Sequence, residues 1–165
     1  MASLRIGDQV VHTNGEIPAV GTMAPDFTLT GNKLNDVSLK DFRSHSVVLN
    51  IFPSIDTSTC AQSVREFNRR AASLSRTVVL CIAKDLPYAM RRFCGAEGID
   101  RVVTLSDFRS KDFGNDYHVE MTDGPMRGLF ARVVIVIDEH GIIKHTEVVP
   151  VIGQEPNYEA ALKAI

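Results

Sequence analysis

Tryptophan is absent from the 165 residues, so the chain carries no indole anchor. No apolar run approaches the roughly 20 residues of a membrane span. The first eight residues, Met1-Ala2-Ser3-Leu4-Arg5-Ile6-Gly7-Asp8, lack the apolar stretch of a secretory signal. A cytoplasmic protein is expected, with no membrane partner; the alternative is a signal removed beforehand. Neither sign of charge dominates. The 18 Lys and Arg against 20 Asp and Glu give a net charge of −2, which excludes whole-molecule attraction to nucleic acid. Cysteine is scarce and odd in number: Cys60, Cys81 and Cys94 cannot be a fully paired secreted framework. There is no CxxC, no histidine close to any cysteine, and none of the GxSxG, HExxH, P-loop or EF-hand patterns, so zinc-ligand spacing is missing. Repeats, low-complexity stretches and domain-dividing linkers are likewise missing.

What is present is ordinary globular composition, 44% hydrophobic and 23% charged. It fits a single domain over residues 1–165 with a core of its own. The first 45 residues read as short strands broken by turns, with extended segments at 9–12 and 26–30. They suggest an N-terminal β-hairpin laid on a larger body. Residues 47–52 form a continuous apolar run, expected of a strand buried on both faces. Ala61, Val64, Phe67, Ala71 and Leu74 then repeat at three and four, which predicts a helix over 59–74. A second buried strand follows at 77–83. Pro87 opens a helix running to about residue 96, with Gly95 and Gly98 as stop signals. Strands are expected at 102–105, 131–137 and 142–149, a short helix at about 110–117, and a closing helix over 157–164. The order β-α-β-α-β then β-β-α is that of a mixed central sheet flanked by helices on both faces. This is an α/β protein of thioredoxin-like fold.

Each cysteine has its own setting. Cys60 falls in the first turn of a helix, just past a buried strand, Pro53 and a polar turn. Chemistry in such sheets gathers at the C-terminal strand ends, and a helix N-terminus favours an anionic sulfur. Cys60 is therefore a candidate nucleophile; the alternative is a small apolar residue packed under the helix. Cys81 lies mid-strand, where a free cysteine behaves as a small hydrophobe. Cys94 follows Arg91 and Arg92 and precedes Gly95, so it is either a thiol that moves to a partner or part of a solvated helix face. A cysteine hydrolase would need a histidine base, and His45 stands at the wrong end of the first buried strand. The missing CxxC argues against a dithiol oxidoreductase.

Pro53-Ser54-Ile55-Asp56-Thr57-Ser58-Thr59-Cys60 matches the P-x-x-x-T/S-x-x-C signature of the peroxiredoxins. Asp85-Leu86-Pro87-Tyr88-Ala89, Arg92-Phe93-Cys94-Gly95-Ala96-Glu97-Gly98, Asp123-Gly124-Pro125, Gly128-Leu129 and Ala131-Arg132 extend the match over nearly the whole chain. It resembles the bacterial thiol peroxidases, the atypical two-cysteine subfamily. The resemblance implies that Cys60 is the peroxidatic cysteine, attacking the O–O bond and becoming a sulfenic acid. It implies that Thr57 Oγ1 hydrogen-bonds the thiolate and the incoming peroxide, that Pro53 shields the site, and that Arg132 supports the anionic sulfur and the charge on the peroxide oxygens. Cys94 would be the resolving cysteine, closing an intramolecular disulfide. A disulfide needs Cα atoms about 4.4–6.8 Å apart, which two intact helices on one sheet do not allow. Local unwinding at Cys60, Cys94 or both is therefore expected, eased by Gly95 and Gly98.

The implied substrates are hydrogen peroxide and organic hydroperoxides, with thioredoxin as reductant, a homodimer as assembly, and no metal, flavin or haem. Met121, Met126, Leu129 and Phe130 are candidates for an alkyl pocket, against the alternative of loop packing. The rival classes are a redox sensor or binding module on the same fold and a general disulfide reductase. Neither an extra domain nor a basic patch is present to carry a signal.

Overall fold

The computed structural model describes all residues, Met1–Ile165. Strands β1 (Ser3–Ile6) and β2 (Gln9–His12) pair as a separate antiparallel hairpin. Next come β3 (Thr28–Thr30), β4 (Asp36–Ser38), β5 (Ser46–Ile51), α1 (Ser58–Ala71), β6 (Thr77–Ala83), α2 (Pro87–Glu97) and β7 (Val103–Ser106). The chain ends with α3 (Phe113–Tyr117), β8 (Val133–Ile137), β9 (Ile143–Val148) and α4 (Tyr158–Lys163). The seven-stranded sheet has the order β4-β3-β7-β6-β5-β8-β9. β5, β6 and β7 are mutually parallel, and β8 runs antiparallel to β5.

The continuous apolar runs serve two cores at once, because side chains alternate across a strand. Val47, Leu49, Ile51, Leu80, Ile82, Val133, Ile135 and Ile137 face one core, which the hairpin and α3 cover through Leu4, Val11, Phe113 and Tyr117. Val48, Val79, Cys81, Ala83, Val134 and Val136 face the other, beneath α1, α2 and α4. The mixed sheet with helices on both faces thus holds, but the two faces differ. Three α-helices cover one side, while one short α-helix, a 3-10 turn at Leu39–Phe42 and the hairpin cover the other.

The early segments pair differently from the expectation. The expected strand at 26–30 is not the hairpin partner of residues 9–12; β1 is. Residues Thr28–Thr30 instead join the edge of the main sheet, pairing with β4 and, at Ser106, with β7. β1 alternates exposed and buried only weakly over four residues, too short a run for a periodicity signal. The helix expected over 110–117 starts at Phe113. In α2 the proline and glycine signals are obeyed: Pro87 takes the first helical position and Gly98 caps the end at φ 68°.

Candidate active site

Parallel β5 and antiparallel β8 place the end of one strand beside the start of the other, with Ile51 opposite Val133. The residue before β8, Arg132, is thereby delivered to the edge where α1 begins. Thr57 is the N-cap of α1, and its hydroxyl accepts a hydrogen bond from the Cys60 backbone N–H at 3.4 Å. The same hydroxyl donates to the Ser54 carbonyl at 3.1 Å. Thr57 Oγ1 is thus engaged with backbone on both sides of the turn, and the sulfur is not among its partners. Pro53 is buried at the end of β5.

Cys60 is 0% exposed and Arg132 2% exposed. Arg132 Nη1 donates to Cys60 Sγ at 3.4 Å, while Nε and Nη2 both donate to the Ile152 carbonyl, at 3.0 and 2.7 Å. None of these bonds reaches a carboxylate. A guanidinium buried without a carboxylate is costly, and an anionic sulfur is the compensating charge within reach. The Ile152 carbonyl fixes the fork so that one arm points at sulfur. The turn holding Ile152 is itself tied down, since Thr59 Oγ1 donates to the Gly153 carbonyl at 3.1 Å. Nothing in the sequence singles out Ile152, because a backbone acceptor carries no side-chain signature.

Cys94 lies elsewhere. It is half-buried over the sheet, and burial raises its thiol above the usual range, with the Thr104 hydroxyl pulling the other way. Thr104 stands opposite Cys81 on the neighbouring strand. Cys94 is seven residues beyond Pro87, about 10 Å along α2, whereas Cys60 is in the first turn of α1. All three cysteines are free. Contacts join α2 to α1 and to the loop before it: Arg65 pairs with Glu97 and stacks over the Phe93 ring at 5.5 Å, and Arg92 stands 3.8 Å from Asp56. A cavity of about 480 Å³ opens there, lined by Ile55, Thr57, Ala61, Arg65, Phe93 and Glu97 among others.

Cys81 is 0% exposed, and burial pushes its thiol up to about 12, the Asn50 amide lowering it and Cys94 adding to the rise. The reading of Cys81 as a core residue agrees with this setting. The suggested alkyl pocket does not. Met121 and Phe130 are core residues of the hairpin side, Met126 and Leu129 pack against that core, and none of the four lines the cavity beside Cys60. Loop packing accounts for them. A larger cleft of about 740 Å³, which includes His45, opens between the start of β5 and the end of β8, at the opposite edge from the cysteines.

A model of the Redoxin family matches residues 19–162. The chain is 54% identical over 165 residues to a thiol peroxidase of Mycobacterium tuberculosis, covering 100% of this chain and 99% of that one. It is 50% identical, with the same coverage, to a thiol peroxidase of Corynebacterium glutamicum. A peroxiredoxin-like protein from Aquifex aeolicus superposes with a TM-score of 0.92 at 31% identity, over 98% of this chain and 95% of the other. A thiol peroxidase from Chromobacterium violaceum shares the fold, with a TM-score of 0.89 at 23% identity over 98% and 93% of the two chains. With the buried Cys60–Arg132 pair at the head of α1, these likenesses have one meaning: the chain belongs to the redoxin family and, within it, to the thiol peroxidases, which are peroxiredoxin-type oxidoreductases.

Proposed function

We propose that this enzyme reduces hydrogen peroxide and organic hydroperoxides through a Cys60 sulfenic acid and a Cys60–Cys94 disulfide, with thioredoxin as the reductant. The observation that carries the reading is the buried Arg132 guanidinium aimed at Cys60 Sγ with no carboxylate to neutralise it. In the first step the Cys60 thiolate attacks the terminal peroxide oxygen. An S–O bond forms, the O–O bond breaks, and the alkoxide or hydroxide leaves and takes a proton from solvent. Arg132 stabilises the charge on the departing oxygen. Thr57 caps the helix that presents the sulfur, and Pro53 closes the strand end behind it. In the second step the Cys94 thiol condenses with the sulfenic acid, forming the disulfide and releasing water. A dithiol then reduces the disulfide and restores both thiols.

The second step needs movement. Cys94 lies on α2, which packs on β7, whereas Cys60 begins α1, which packs on β6, and its sulfur faces the Arg132 guanidinium. One or both helix segments therefore unwind before the sulfurs meet. The chain acts as one domain, and its unpaired cysteines suit the reducing cytoplasm. Leu86, Tyr88 and Phe108 are exposed at the sheet edge that holds the active site, and they supply apolar surface for a homodimer.

One equivalent of hydroperoxide added to the reduced protein, followed by disulfide mapping by mass spectrometry, tests this function. A Cys60–Cys94 link with Cys81 still free is expected. A stable sulfenic acid with Cys94 untouched overturns the two-cysteine cycle. No oxidation at all overturns the peroxidase reading.

A further inference from the structure

Asp85 follows β6 and precedes Leu86 and Pro87, the N-cap and first residue of α2. Its carboxylate reaches across to the loop that carries Cys60. Oδ1 accepts from Ser54 Oγ at 2.8 Å, and Oδ2 accepts from the Ile55 backbone N–H at 2.8 Å. Both partners are uncharged, so the contact is a pair of charge-assisted hydrogen bonds, short and directional. The connection continues through one side chain at a time. The Ser54 carbonyl accepts from Thr57 Oγ1, and Thr57 Oγ1 accepts from the Cys60 N–H. Behind it, the Asp85 carbonyl accepts from Ser106 Oγ at the end of β7. A single carboxylate thus couples the Cys60 loop to the root of the helix that bears Cys94.

We infer that Asp85 is a positioning residue that clasps the Cys60 loop in its peroxide-reactive conformation and must let go before the disulfide can close. The inference rests on the two-cysteine function proposed above. It follows from the opposed demands of the two steps. Attack on peroxide needs Sγ and the Arg132 fork held in a fixed relation. Disulfide closure needs that same turn to leave its place. A clasp therefore speeds the first step and slows the second, whereas a residue that only stabilises the fold shifts both together or neither.

The test is rapid-quench mass spectrometry on reduced wild-type, Asp85→Ala, Asp85→Asn and Ser54→Ala proteins, alongside thermal unfolding. Wild type is read first: if it forms no Cys60–Cys94 disulfide, the functional reading fails and takes this inference with it. In Asp85→Ala the rate of Cys60 oxidation is expected to fall about tenfold, the loss of hydrogen bonds to a charged group. Disulfide closure accelerates, and the ratio of Cys60 sulfinic acid to disulfide at excess peroxide drops several-fold. Asp85→Asn, which keeps an acceptor for the Ile55 N–H, and Ser54→Ala, which removes one bond, show smaller shifts of the same sign. With wild type active, unchanged rates and ratio in all three variants overturn the clasp. So does a parallel loss of both steps with lowered unfolding temperature and an unaltered ratio.

Discussion

Cys60 and Cys81 are both 0% exposed and belong to the same core, under the same helices. Cys81 lies in the middle of β6, between Asn50 on one side and Thr104 on the other. The neutral Asn50 amide donates to its sulfur at 3.7 Å, and burial pushes its thiol up to about 12. Cys60 lies at the strand-end edge instead, with a helix N-terminus behind it and a buried guanidinium beside it. Burial alone silences a thiol. Burial together with a cation supplies a site where an anionic sulfur is the missing charge.

The comparison breaks most sharply if the two cysteines are exchanged for serine. Cys60→Ser is expected to abolish peroxide consumption, while Cys81→Ser leaves turnover at the wild-type level in a coupled peroxidase assay. Arg132→Met removes the cation but keeps the volume, and should lower the rate of Cys60 oxidation about 10²–10³-fold, measured by competition with a reference thiol. Loss of less than threefold would show that the helix end suffices. Cys94 sharpens the contrast from a third position. Because burial raises its thiol, disulfide closure should accelerate as pH rises above 7. A flat profile in stopped-flow would mean that unwinding, rather than thiolate supply, limits closure.

The smallest effect concerns stability. The native Cys81 thiol holds its proton up to about 12, well past the point where an unfolded cysteine loses it. Between the two values the native state binds more protons than the unfolded one, so its stability falls as pH rises. Wild type should lose about 1.4 kcal/mol per pH unit relative to Cys81→Ala above pH 9, in parallel denaturant titrations. Equal slopes would place the Cys81 thiol in contact with water.

Much of this was legible in the residues. The buried strands β5, β6 and β8 announced themselves as apolar runs, and α2 by Pro87 and Gly98. Cys60 could be placed on a helix start from Pro53 and the polar turn. The short strands β1, β3 and β4 could not be assigned to partners, since runs of three or four residues carry no period. The sequence alone does not separate a pocket from loop packing at the four apolar residues 121, 126, 129 and 130. Asp85 had a signal that could have been followed: a carboxylate just past a buried strand and two residues before a helix-opening proline, at the edge where α/β sheets do their chemistry.

The sequence by itself determined which elements form and which cysteine begins a helix, because those depend on local pattern, proline, glycine and caps. Local pattern alone did not say which charge meets which sulfur; only the likeness to the peroxiredoxins pointed to Arg132. Arg132 is 72 residues from Cys60 along the chain, and only the antiparallel register of β8 against β5 sets them 3.4 Å apart. Burial of that guanidinium, its anchoring by the Ile152 carbonyl, and the separation of Cys94 from Cys60 were decided by strand order. Long-range pairing sets distances that no local preference encodes.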